Sequence, residues 1–205
     1  MSVTPDKDEI RENQAESNGH RWGKQIFFMG IAILGIGLFW MQKDHYKAYQ
    51  QWNKAQMFYN NKAYEAALEV YEPLYPLLKH KPEFLFEAAQ SLSKTGQYEK
   101  ANEYLERAVL LSSDPMLYYV MAKNEQCLGE YRQAEKHLLH AIDILPERIY
   151  PYYLLMNLYT EPSYFQPAKL KMAIDSVLTK KPKVESSAIK EMKEKARSML
   201  NNTSI

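Results

Sequence analysis

Cysteine is nearly absent. Cys127 stands alone among 205 residues, which excludes an internal disulfide and a multi-cysteine metal site and leaves the redox compartment open. Glycine is scarce as well, with seven residues against sixteen tyrosines, a balance short of the turns that an all-β chain needs. A surplus of charge is missing too. The 26 basic and 25 acidic side chains leave a net charge of +1, and without clustered uncompensated cations nucleic acid is not an expected partner. The chain also lacks a phosphate loop, a nucleophile elbow and H-E-x-x-H. No catalytic residue, metal or cofactor is assigned, and an enzyme is not expected.

What is present begins with one apolar run. Lys24 and Lys43 enclose Gln25 to Gln42 without a charge, with IFFMGIAILGIGLFWM at its heart. Eighteen helical residues reach about 27 Å, close to a hydrocarbon core of roughly 30 Å. Trp22 and Trp40 stand near the two ends, where amphipathic rings prefer the interface. A cleaved signal peptide fits poorly, because its charged region would carry Asp6, Asp8, Glu9, Glu12 and Glu16 and no A-x-A site follows. The expectation is an uncleaved transmembrane helix over 22–43, after a polar, disordered segment over 1–21. Four cations flank each side, Lys7, Arg11, Arg21 and Lys24 against Lys43, Lys47, Lys54 and Lys62, so the positive-inside rule does not orient it.

Beyond the run the chain repeats itself. KAYEAALEVYEPL at 62–74, GQYEKANEYLERA at 96–108 and GEYRQAEKHLLHA at 129–141 share Tyr, Ala and a bulky residue at fixed offsets. Their alanines, Ala67, Ala101 and Ala134, lie 34 and 33 residues apart. A second helical run with its own small residue (Ala55, Ala89, Ala122) precedes each block. Two antiparallel helices with two short turns require about 34 residues, and alanines at the closest approach let the backbones pack tightly. Gly96 and Gly129 suit the left-handed residue after each first helix, while Pro82, Pro115 and Pro151 are expected to open the next one.

This pattern resembles the tetratricopeptide repeat (TPR) family. Repeats two and three match well, repeat one has Lys62 where glycine is usual, and repeat four runs through TEPSYFQP and carries Leu170 at its small position. The expected fold is all-α: the transmembrane helix, a TPR-like α-solenoid over 46–183, then an amphipathic capping helix and tail over 184–205. The Tyr-rich array behind a membrane helix, with PEFLFE, KTGQYEKAN and ERIYPYYLL, also resembles the C-terminal tail of bacterial O-antigen ligase/polymerase-type membrane proteins. That resemblance implies a separated module working with a polytopic glycan-transferring enzyme, and it brings no catalytic residue.

The TPR resemblance implies a concave groove lined by first helices that holds a protein or peptide partner. Its expected residues are Tyr49, Trp52, Gln56 and Tyr59, then Phe86, Gln90 and Lys94, then Tyr119, Lys123 and Gln126, then Tyr152 and Tyr159. Aromatics with amides and lysines suit a peptide or a sugar surface, although a register slip of one residue would turn several of them into core. The Lys/Asn carboxylate clamp of chaperone-binding TPR domains is not reproduced. His137 and His140, three apart, with Asp143 one turn on, have a spacing that can ligate metal, but no second cluster completes a shell and they read as surface or semi-buried histidines. The run Lys180, Lys181, Lys183, Lys190, Lys193, Lys195 and Arg197 is interleaved with Glu185, Glu191 and Glu194. It reads as a solvated face, with lipid headgroups or an acidic partner as the alternative. Taken together, the sequence describes a single-pass inner-membrane scaffold for protein–protein interaction, its solenoid in the periplasm.

Overall fold

The computed structural model describes residues 7–182 and 184–202, with side chains over 27–37, 39, 43–182 and 184–201. Among the described residues every regular element is helical. They divide into two compact units, one ending at Gln50 and the other running from Gln51 onward.

The described residues of the first unit belong to α1, Lys7–Asn60, a helix of 54 residues. It starts inside the segment read from the sequence as disordered and continues without a turn into the first helix of the first pair. The large apolar side chains described between Phe27 and Phe39 are bare: Phe27, Phe28, Met29, Ile31, Ile33, Leu34, Ile36 and Phe39 are each at least 50% exposed. Among the described residues no helix is long and apolar enough to cross a membrane. The expected span over 22–43 falls partly on residues outside the described side chains.

The second unit is a stack of helix pairs. The end of α1 precedes α2 (Tyr64–Leu78), followed by α3 (Pro82–Lys94) with α4 (Tyr98–Val109), α5 (Pro115–Leu128) with α6 (Tyr131–Ile144), and α7 (Ile149–Leu158) with α8 (Pro167–Thr179). Each of the last three pairs packs internally, and α2 packs on α3, α4 on α5 and α6 on α7. The first helices α3, α5 and α7 also neighbour one another. Helix α9 (Ser187–Asn202) closes the stack against α8 and α7, burying Ala196 and half-burying Ile189, Met192 and Met199.

The turns explain the period. Lys62, Gly96 and Gly129 all have positive φ, at 60°, 81° and 77°. After each, the next amide reaches back five residues: Ala63 N–H to Phe58 O at 2.9 Å, Gln97 to Leu92 at 2.9 Å, Glu130 to Glu125 at 2.8 Å. This is the Schellman closure, which satisfies carbonyls that a helix end leaves open. Pro82 and Pro115 open α3 and α5 as expected. Pro151 does not open α7, which begins at Ile149; it occupies the first turn, where amides have no intrahelical acceptor to lose.

The core follows the small positions. Ala55, Ala67, Ala89, Ala101, Ala122 and Ala134 are at most 1% exposed, so the crossings are set by methyl groups. In the fourth pair Leu170 fills the equivalent place at 1% exposure. Its larger volume is accommodated together with a rebuilt turn, in which Pro162–Tyr164 forms a short 3-10 segment and the Gln166 amide donates to Tyr159 O at 3.2 Å.

Candidate partner-binding groove

The expected groove residues divide into two groups with different surroundings. Tyr49 lies in the first unit, on α1, and is exposed. Trp52 and Gln56, four apart on α1, share a face and both reach Glu87 of α3. The indole N–H donates to Glu87 Oε2 at 2.7 Å and the Gln56 amide to Oε1 at 2.8 Å. Tyr71 of α2 adds a third donor, its hydroxyl 3.1 Å from Oε2. Tyr59 donates to Gln90 Oε1. The rings of Trp52 and Tyr71 both meet Phe84 edge-on, at 5.8 and 5.5 Å. Burial, and then the charge of Glu87, push the Tyr71 phenol far above its ordinary range; the same two causes raise Tyr59. Trp52, Gln56, Tyr59 and Gln90 therefore bind the first pair to the second. Further along α3, Phe86 is half-buried and Lys94 exposed.

The second half is built differently. Tyr119 on α5 is 4% exposed, and its hydroxyl has no hydrogen-bond partner among the described residues. Its ring meets Tyr150 of α7 edge-on at 5.2 Å, and Tyr150 lies near-parallel to Tyr153 at 6.5 Å. Burial raises the Tyr119 phenol; the Arg148 cation opposes this, while Asp114 and Tyr150 reinforce it. Lys123 is exposed and Gln126 half-buried on the same helix.

In the fourth pair the expected register is off by one. Tyr152 donates to Pro146 O at 3.2 Å, with Lys180 4.9 Å over its ring. Tyr159 is buried and donates to Glu135 of α6 at 2.6 Å. Tyr150 and Tyr153 are the residues that continue the row from Tyr119. The ammonium of Lys195 in α9 sits 5.4 Å over Tyr153 and donates to Asn157 Oδ1 at 2.8 Å.

The second-helix side holds a cluster that sequence reasoning missed. Glu135 accepts from Tyr159, from Tyr164 in the rebuilt turn at 2.7 Å, and from Lys169 of α8 at 2.7 Å. Burial works against its ionisation, but bonds from Lys169, Tyr159 and Tyr164 outweigh it and hold the carboxyl below its usual range. Burial first, then the bond to Glu135, push Tyr164 up to about 12. Tyr164 also stacks on Tyr131 at 5.7 Å. Around the cluster open clefts of about 1080 and 600 Å³ that share Arg132 and Lys169.

His137 is half-buried, one of the two placements expected for it. Its Nδ1 lies 2.8 Å from Oε1 of Glu125, a carboxylate only 3% exposed. His140 lies against the Tyr118 ring at 4.6 Å. Among the described residues no group of three or more His, Cys, Asp or Glu is placed to hold a metal ion. A further pair, the buried Asn124 Nδ2 to the half-buried Asn102 Oδ1 at 2.8 Å, joins α5 to α4. In the sequence, the trace of these pairs is a polar residue at a position that the helical period assigns to the core.

Comparison with known proteins agrees with this architecture. A family model described as "Anaphase-promoting complex, cyclosome, subunit 3" matches residues 60–141. No curated protein matches. Among solved structures, MamA protein is similar with a TM-score of 0.60 at 17% identity, over 75% of this chain and 88% of that one. MamA 41-end from Desulfovibrio magneticus RS-1 is similar at 0.59 and 19%, over 78% and 98%. A Podosopora anserina putative kinesin light chain with nearly identical TPR-like repeats is similar at 0.56 and 17%, over 76% and 88%. Identities this low establish the fold alone. The chain is a TPR-like helical repeat protein. None of these three structures is described as an O-antigen ligase or polymerase, and the resemblance to that tail rests on sequence phrases only.

Proposed function

We propose that the chain is a non-enzymatic scaffold that holds a segment of another protein along the first-helix face of its second unit. One observation carries this reading. Among the described residues Lys94 of α3 and Lys123 and Gln126 of α5 have no side-chain hydrogen bond or ion pair, and Tyr119, Tyr150 and Tyr153 form an aromatic row from α5 to α7. A preformed surface loses little conformational freedom on binding, so a modest interface suffices. A photo-cross-linking amino acid at position 123 should capture a partner in cells, whereas the same group at Lys136 on the second-helix side should not. Equal adducts from both positions would defeat the groove reading.

The same proposal places the scaffold on the bacterial inner membrane, with residues 22–43 in the bilayer and the repeats, over 46–183, in the periplasm. The charge-free run and the bare apolar side chains from Phe27 to Phe39 support an anchor. Tethering would raise the effective concentration of a membrane-bound partner. Release of the chain from membranes by high salt or carbonate would refute the anchor. A compartment-specific reporter fused after residue 200 would decide the side.

A further inference from the structure

The two ends of the helix stack in the second unit carry different chemistry. Short turns make neighbouring helices antiparallel, so one end gathers the last turns of α2, α4, α6 and α8 with the starts of α3, α5 and α7. Contacts across this end fix the alignment. Arg107 Nε donates to Lys79 O at 2.9 Å, joining the ends of α4 and α2. Lys180, at the end of α8, lies 4.0 Å from Glu147 between α6 and α7. The chain enters the unit at the same end: Trp52 meets the Phe84 ring and Tyr59 reaches Gln90, so the helix from Gln51 runs parallel to α3.

Leucine crowds this end. Leu77, Leu110, Leu111, Met116, Leu145 and Val184 are all exposed there. Leu110 at 83% and Val184 at 75% are the two barest large apolar side chains among the described residues. The opposite end, whose turns hold Lys62, Gly96 and Gly129, shows only Phe165 and, one turn back on α1, Met57.

Charge divides the same way. Among the described residues the connections 79–81, 110–114, 145–148 and 180–186 carry Lys79, Lys81, Arg148, Lys180 and Lys181 against Asp114, Glu147 and Glu185. Asp114 is committed to capping α5, where it accepts the Met116 amide at 2.9 Å. The connections at the other end hold Lys62 against Glu130 and Glu161. Bare leucines interleaved with cations gain nothing from each other in water. At a bilayer interface both have a place, the apolar side chains in the headgroup boundary and the cations beside anionic phosphates.

We propose that this end of the second unit is a membrane-contact surface that sits on an anionic bilayer. Leu110 and Leu145 enter the interface, and Lys79, Lys81, Arg148 and Lys181 lie at the phosphates. The proposal rests on the anchor reading for its bilayer and adds the surface turned towards it. The paired helices then stand on end, which leaves the first-helix face uncovered for a partner.

The test uses the full chain carrying Cys127→Ser and one new cysteine labelled with the fluorophore NBD. Leu110→Cys and Leu145→Cys probe the proposed surface, Gln97→Cys and Glu130→Cys the other end. Each protein is reconstituted into phosphatidylcholine vesicles with or without a quarter of phosphatidylglycerol, and quenching by a doxyl-labelled lipid is read. With phosphatidylglycerol the labels at 110 and 145 should shift to the blue and be quenched at least twofold more than those at 97 and 130. Lys79→Glu with Lys181→Glu, or phosphatidylcholine alone, should weaken that quenching. Equal quenching at both ends, or none at 110 and 145, would overturn the surface. So would a blue shift at 110 that is already present in detergent and grows with protein concentration, because a second copy would then cover this end. Carbonate extraction reads the anchor separately. Retention without quenching at 110 keeps the anchor and sinks the surface, while quenching at 110 in a chain that carbonate strips does the reverse. If the chain neither stays nor is quenched, both fall.

Discussion

The phenol of Tyr164 donates to Oε2 of Glu135 at 2.7 Å across 29 residues of sequence, fastening the rebuilt turn of the fourth pair to the second helix of the third. A hydrogen bond to a charged acceptor contributes about 1.5–3 kcal/mol. Tyr164→Phe keeps the stack on Tyr131 and removes only that bond. It should lower unfolding stability by about 1–2 kcal/mol, the low end, because Tyr159 and Lys169 still satisfy the carboxylate. Denaturant melts with an unchanged slope would check it. No loss of midpoint would mean that the turn is held by stacking alone.

The same cluster sets a response to acid. Glu135 has its folded-state carboxyl below the ordinary value of 4.5. A depressed carboxyl contributes stability that is present above the unfolded value and lost as pH falls through the folded one. Wild type should therefore lose midpoint as pH drops below about 4.5, and Glu135→Gln should lose less over that window while starting lower at pH 7. Parallel curves for the two proteins would remove Glu135 as a source of acid sensitivity.

Glu87 should matter more than its half-exposed position suggests. It receives the Trp52 indole, the Gln56 amide and the Tyr71 hydroxyl from two other helices. Glu87→Ala leaves all three donors without their acceptor and should cost about 2–3 kcal/mol, with Trp52 fluorescence shifting to the red as its N–H meets water. The conservative Glu87→Gln keeps an acceptor and should cost less. A consequence is that Trp52→Ala is a poor probe of partner binding, since it weakens the junction of the first two pairs.

The helix pairs were legible in the sequence because they rest on local chemistry. Alanines about a period apart mark the crossings, and Gly96 and Gly129 mark left-handed turns, signals that need no knowledge of distant residues. The site was legible only in part. Glu87, Glu135 and the Glu125–His137 pair join residues 12 to 35 apart, and no short pattern announces which polar residue will find which partner. Repeat four shows the other limit. One residue on a helix is a rotation of about 100°, so an error of one position exchanges Tyr152, which is tied to Pro146, for Tyr153, which lies in the row with Tyr150. Conversely, Tyr159 was read as a groove residue and is core, because the Gly-less turn after it folds back to Glu135.

The three left-handed turns allow a paired prediction on the backbone itself. Lys62 has φ of 60° and Gly129 of 77°, and each precedes the same five-residue return bond. A side chain in that conformation costs about 1–2 kcal/mol, offset in part by the greater freedom glycine has when unfolded, about 0.5–1 kcal/mol. Lys62→Gly should therefore stabilise the chain, by up to about 1 kcal/mol. Gly129→Ala should destabilise it by a similar amount. A Cβ built at Gly129 meets nothing within 4 Å, so sterics with neighbours do not enter and the change reports backbone conformation alone. Midpoints moving in opposite directions at constant denaturant slope would verify the pair. If Lys62→Gly were destabilising instead, the lysine side chain would have to contribute more than its strain.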